Sequence, residues 1–211
     1  MAKPDRRVER TRSALQRAFG QLLLARGYAA VTVREVIERA GVGRSTFYEH
    51  FESKEDVLRQ SMRPLLGILA AVVDDGAPLA AVEQIVAHFH DNRRIVRALS
   101  AGPARAVITT FLAELIEERL DASRARMLAP SIPMRLIAAQ LAGSQLALLD
   151  AWLAAPQATP AAAVAQAIVS GTRSAAAALL AGRDEANQPV RARETSMARA
   201  ASSARAIASR R

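Results

Sequence analysis

Residues 32–54, TVREVIERAGVGRSTFYEHFESK, decide how this chain is read. Thr32 and Glu35 have the spacing of a capping box, in which each side chain satisfies an orphan amide of the other's turn. Val33, Val36, Ile37 and Ala40 then follow at i, i+3, i+4 and i+7, one buried face of a two-turn helix. Gly41 stands where a left-handed residue commonly ends a helix, and Gly43 keeps the next turn open. Phe47 and Phe51, four apart, face inward together, which leaves Ser45, Thr46, Tyr48, Glu49 and His50 pointing outward. Ser53 with Asp56 caps a third helix and places Lys54 and the helix's free amides at its beginning.

Two short helices joined by a turn of about four residues are what a helix-turn-helix requires, with the second helix free to enter a major groove. The string GVGRSTFYEHFESKEDVL, preceded by VTVREVIERA, resembles the DNA-binding domain of the TetR family of bacterial transcriptional regulators. The similarity runs from Val8 to Leu58; beyond it only the all-helical layout resembles the family.

The resemblance implies a role for each matching position. Arg34, on the motif's first helix, would reach a base edge or a phosphate. Arg44, Ser45 and Thr46 would open the recognition helix, with Arg44 placed for a bidentate contact to guanine. Tyr48 and His50 correspond to phosphate and base-edge contacts, and Lys54 would bind a phosphate with help from the helix dipole. One short recognition helix reads too few bases for specificity, so a homodimer on a palindromic double-stranded DNA operator is expected. The resemblance also implies a cavity for a small-molecule effector in the C-terminal body, mostly apolar with a few polar anchors. Phe89, Phe111, Met134, Gln140 and Ser144 are candidates to line it, and each is equally a packing residue. Met127 belongs to the same apolar set, and Trp152, near a helix end, is expected against the dimer partner.

Composition narrows the field. The chain has 211 residues and no cysteine, so disulfides, thiol catalysis and cysteine-ligated metals are excluded. The formal charge of +9 is unevenly placed: +5 over residues 1–63, zero over 64–180 and +4 over 181–211. A basic module beside a neutral body points to one phosphate-facing part and one with another job. No apolar stretch follows the basic start as in a secretory signal. The longest strongly apolar run, Leu65–Val73, is nine residues, against the roughly 20 that a bilayer span needs. No membrane partner is expected, and the cytoplasm is the expected location.

Asp5–Arg26 reads as an amphipathic helix through Leu15, Phe19, Leu22 and Leu23, ended by Gly27. Its Arg6, Arg7, Arg10 and Arg12 suit either phosphate contacts or a solvated face. A long helix starts at Ser53 and runs toward Val73, with Pro64 expected to kink or break it. Further helices are predicted over residues 79–91, 93–100, 103–125, 133–155 and 160–181. The last two carry small groups, Ala139, Gly143 and Ala147 on one and Ala163, Ala167, Gly171 and Ala175 on the other. They suit close helix pairing, either across a dimer or within one core. Residues 1–4 are expected to be loose, and 183–211 to be a basic tail with too little apolar surface to order itself.

The fold class read from these patterns is all-α. An N-terminal three-helix helix-turn-helix domain (1–58) is joined by a long helix to a larger helical ligand-binding and dimerisation domain (59–182), with the tail at 183–211. An enzyme is disfavoured. His88 and His90 are two apart on a helix and diverge, no glycine loop cradles phosphate, and no nucleophile elbow or zinc motif is present. Neither a cofactor nor a metal is called for. Two rivals stand beside a ligand-responsive repressor. An all-helical carrier of small molecules or lipids would bind ligand without operator, and an architectural protein would bind DNA without preference.

Overall fold

The computed structural model describes residues 6–74, 76–100, 102–123, 132–155 and 159–181. Residues 1–4, Met127 and the 183–211 tail, each with an expectation above, lie outside the described residues. Within them the chain is all helical, with nine α-helices, one 3-10 turn and no strand.

The N-terminal unit comprises α1 (Arg6–Arg26), a 3-10 turn at Tyr28–Ala30, α2 (Val33–Ala40) and α3 (Arg44–His50). α1 buries Leu15, Ala18, Phe19, Leu22 and Leu23. Gly27 lets the chain leave α1 with φ of 76°, a conformation a side chain would strain. α4 (Lys54–Ala70) begins at a Ser53 cap, whose hydroxyl accepts from the Asp56 amide at 3.1 Å. It runs through Pro64 as one helix, so of the expected kink or break there is no break. Val57 and Leu58 before the proline and Leu66 and Leu69 after it are all buried, so packing on both sides holds one helix together while Pro64 itself stays exposed.

The larger body is α5 (Leu79–Asp91), α6 (Arg93–Ser100), α7 (Pro103–Ser123), α8 (Met134–Ala154) and α9 (Ala161–Leu180). α7 lies between α4 and α8, and α9 packs on α5 and α8. A single apolar cluster runs from Leu15 in α1 to Ala176 in α9, so the two parts share one core. Ion pairs tie α7 to α4 and its end. Arg59 makes a two-pronged pair with Glu114, and Arg119 reaches Asp74 at 2.9 Å.

The far end of α4 is fastened by polar contacts. Gln145 of α8, almost fully buried, donates to the Leu69 carbonyl at 3.3 Å and to the Thr172 hydroxyl of α9 at 3.0 Å. Arg173, also on α9, donates through Nε to the Val72 carbonyl at 3.3 Å. The Leu69 carbonyl also accepts from the Val72 amide at 3.3 Å, so Gln145 adds a second bond to a carbonyl already engaged at the helix end.

α8 and α9 correct one sequence expectation. Helices of 21 and 20 residues that contain 18-residue stretches of mean hydropathy 1.3 and 1.2, both are long and apolar enough to cross a bilayer by length and composition. Alanine accounts for the difference: many small apolar groups raise the average without forming a run of bulky ones. Inside this fold both helices bury one face and turn the small residues outward, Ala139 and Ala147 on α8 and Ala163, Ala167 and Gly171 on α9.

Candidate functional site

The surface of interest starts with the caps of α2. The Thr32 hydroxyl accepts from the Glu35 amide at 3.3 Å, and the Glu35 carboxylate accepts from the Thr32 amide at 3.0 Å and its hydroxyl at 2.9 Å. Those bonds, with Arg26 paired to the same carboxylate, hold the Glu35 carboxyl below its ordinary range. At the other end Gly41 adopts φ 66° and ψ 34°. The Val42 amide then returns to the Ile37 carbonyl at 3.3 Å, closing the helix as a left-handed glycine allows. Gly43 differs from expectation: its φ of −77° is ordinary, and an added Cβ would meet nothing closer than 3.7 Å. The turn depends on Gly41 rather than on Gly43.

α3 is pinned from below by aromatic packing. Phe47 and Phe51 are fully buried with ring centroids 5.9 Å apart, and Arg12 of α1 lies over the Phe51 ring at 5.8 Å. With that face inward, Arg44, Ser45 and Tyr48 are exposed and Thr46 and His50 half-buried. Tyr48 stands edge-on to Phe47 at 5.3 Å, and the Arg44 guanidinium sits 5.7 Å from the Tyr48 ring centre. Arg34, at the start of α2, is exposed and donates through Nε to Glu38 at 2.7 Å, which raises its pKa. All six side chains are exposed or half-buried, in contrast to the buried aromatic pair.

Lys54, expected at a phosphate, is directed instead to the backbone of the preceding turn. Its ammonium donates to the carbonyls of Val31 at 2.9 Å, Tyr28 at 3.2 Å and Ala29 at 3.4 Å, and lies 4.7 Å from the Tyr28 ring centre. It gathers the carbonyl end of the 3-10 turn onto the start of α4. Beneath it, burial and then Glu55 push the Tyr28 hydroxyl up to about 12, so the ring stays neutral. Sequence reasoning missed this role because the partners lie 23 to 26 residues upstream.

A second feature is a partly open cavity of about 150 Å³ lined by α4, α5, α6, α7 and α8. Of the candidates above only Phe89 lines it, beside Leu65, Leu66, Val96, Ile108 and Leu146. Phe111 instead is buried beneath the guanidiniums of Arg59 and Arg63, at 4.4 and 5.0 Å from its ring centre. Met134 is buried elsewhere in the core, and Gln140 and Ser144 are exposed on α8, on a different side from the cavity-lining Leu146, Leu149 and Asp150. The polar groups of the cavity are others: His88, Asn92, Ser100, Arg105 and Asp150. Asp150 accepts from the Ser100 hydroxyl at 2.5 Å and pairs with Arg105 at 2.8 Å. Within the chain Trp152 lies 5.4 Å from the His90 ring and donates to the Thr159 carbonyl at 2.9 Å.

The same N-terminal stretch carries the likeness to known proteins. Residues 20–60 match the family described as bacterial regulatory proteins, tetR family. The N-terminal part of the chain is of the TetR type. TetR-type relatives extend the match unevenly. Over 56 residues, 26% of this chain, it is 43% identical to an uncharacterized HTH-type transcriptional regulator of Bacillus subtilis, YxbF. Over 111 residues, 53% of this chain, it is 34% identical to the HTH-type transcriptional regulator TcmR of Streptomyces glaucescens. These matches span only 15% and 40% of the relatives' own lengths. A solved TetR transcriptional regulator from Streptococcus agalactiae is similar over 80% of this chain and 96% of its own, at 28% identity and a TM-score of 0.52. The TetR likeness therefore covers the helical body as architecture and the reading head as sequence.

Proposed function

We propose that this protein is a ligand-responsive transcriptional repressor that binds a palindromic operator as a homodimer in the cytoplasm. The observation that carries the reading is the display on α3. Phe47 and Phe51 fill its inner side, while Arg44, Ser45 and Tyr48 are offered to solvent with Thr46 and His50 at their flanks. A recognition helix held rigid from behind and polar in front is suited to a major groove. In this reading residues 1–58 bind DNA and 59–182 bind effector and partner. Arg44 addresses a base edge; Ser45, Thr46, Tyr48 and His50 contact bases or phosphates; and Arg34 exchanges Glu38 for a phosphate. Lys54 supports the frame and touches no DNA.

Dimerisation through α8 and α9 is favoured by their exposed alanine and glycine faces, which permit close approach of a second pair. Met62, Leu65 and Leu66 place α4 in the cavity wall, and the same helix carries the packing of α1 at its other end. An occupant would therefore shift α4 and the spacing of the two reading heads, penalising both half-sites together. Selection of bound sequences from a random DNA pool, followed by a gel shift on the recovered site, tests the proposal. A two-fold symmetric site is the expected result; binding that ignores sequence, or no binding, refutes it.

A further inference from the structure

The core cavity has a size and a polar end that together define what fits. Its volume is about 150 Å³, and an apolar protein cavity of roughly that size accepts a benzene-sized guest. A long acyl chain or a fused ring system exceeds it. The walls contributed by Leu65, Leu66, Phe89, Val96 and Ile108 leave a flat apolar ring the natural filling.

The polar end is balanced. Asp150 is half-buried, and its charge is matched by Arg105 at 2.8 Å while Ser100 donates to its other oxygen at 2.5 Å. An anionic ligand would take Arg105 away and leave a partly buried carboxylate unpaired. A cationic one would set a second positive charge beside Arg105. Both cost more than a neutral ligand does. Carboxylate oxygens accept several donors, so Asp150 can receive a third. Ser100 and Asp150 also line a shallow outer groove with Arg97, Leu153 and Ala154, so the polar end lies where the cavity meets the surface. On the opposite wall the Asn92 amide nitrogen is engaged with His88, at 2.9 Å to its carbonyl and 3.3 Å to its ring.

We propose that this cavity binds a neutral, single-ring compound bearing one hydroxyl-type donor, with the ring against the apolar walls and the donor on Asp150. The proposal rests on the regulator reading and narrows its effector to phenol-like chemistry.

Calorimetry on the full chain with phenol, anisole, benzoate and benzylamine tests it. Phenol should bind saturably, anisole, which lacks the donor, about tenfold more weakly, and both ions more weakly still. Asp150→Ala, which removes the acceptor, should erase the preference for phenol over anisole. Leu146→Trp should fill the cavity and abolish binding, and Ile95→Phe, at a half-buried position, gives the same reading if the first variant does not fold. Equal affinity for phenol and anisole, tighter binding of benzoate, or no saturable binding of any ring would overturn the assignment. A gel shift on the selected operator with the same samples separates the two readings. Operator binding without ring binding removes the ligand class alone; absence of both removes the regulator reading as well.

Discussion

Replacing Lys54 with methionine keeps the length of the side chain and removes its charge, which makes it a sharp probe of what the ammonium does. In the fold it holds three carbonyls, at 2.9, 3.2 and 3.4 Å, and lies 4.7 Å from the Tyr28 ring centre. The Ala29 carbonyl is exposed and passes to water at little cost. Those of Val31 and Tyr28 are partly buried, and each loses a charge-assisted bond worth on the order of 1 kcal/mol net in such a setting. The ring contact adds roughly 0.5 kcal/mol. The sum, about 2–3 kcal/mol, is trimmed to about 2 kcal/mol because Lys54 is only half-buried and water replaces part of what is lost. With a urea slope of roughly 2 kcal/mol per molar, the midpoint followed by circular dichroism should fall by about 1 M. Operator affinity should drop only in proportion to the unfolded fraction, with an unchanged dependence on salt. A phosphate-binding lysine behaves in the opposite way: stability holds, and the salt slope shrinks by about one ion. An unchanged midpoint with a reduced slope would refute the assignment of Lys54 as a clamp.

Other outcomes follow from the same geometry. Arg44→Ala should relax preference at one base pair of each half-site, by roughly 1–3 kcal/mol of discrimination; identical binding profiles from parallel selections would count against the contact. Gly41→Ala forces a Cβ into the left-handed region and should cost about 1 kcal/mol in thermal or chemical unfolding, whereas Gly43→Ala should cost little. Thr32→Ala should destabilise by about 1 kcal/mol at neutral pH. Because the folded Glu35 carboxyl is held below its ordinary value of 4.5, its contribution is present above that value and lost as pH falls through the lower folded one. The gap between wild type and variant should then narrow on acidification, and a gap that widened would contradict the capping box. Ala167→Arg, on the exposed face of α9, should give a folded monomer in sedimentation; an unaltered dimer would place the interface elsewhere.

Much of the architecture was readable because its punctuation is local. Caps at Thr32 and Ser53, the left-handed Gly41 and the prolines at 78, 103, 133 and 160 fix helix ends within a few residues of where they fall. The inward Phe47 and Phe51 followed from helical spacing alone. What stayed hidden depends on contacts distant in sequence. Pro64 looked like a break because its helix's stabilising partners, such as Glu114 for Arg59, lie on α7. The cavity lining was mostly missed because α8 is apolar on nearly every side, so nothing in its pattern distinguishes Leu146, Leu149 and Asp150, which face the cavity, from Gln140 and Ser144, which do not. Lys54, read as a charge at a helix start, takes its meaning from a turn that precedes the motif.

The grip of Gln145 and Arg173 on the last carbonyls of α4 has a mechanical outcome. That end of the long rod is moored to two other helices at once, so it has no slack to absorb a displacement arising midway along its length. Movement pressed on its middle is then passed to the opposite tip, and through the Lys54 clamp to the helices that precede it. Cutting one mooring, as Gln145→Leu would by removing the donor to the Leu69 carbonyl, should leave recognition of DNA and of small molecules each intact while uncoupling one from the other.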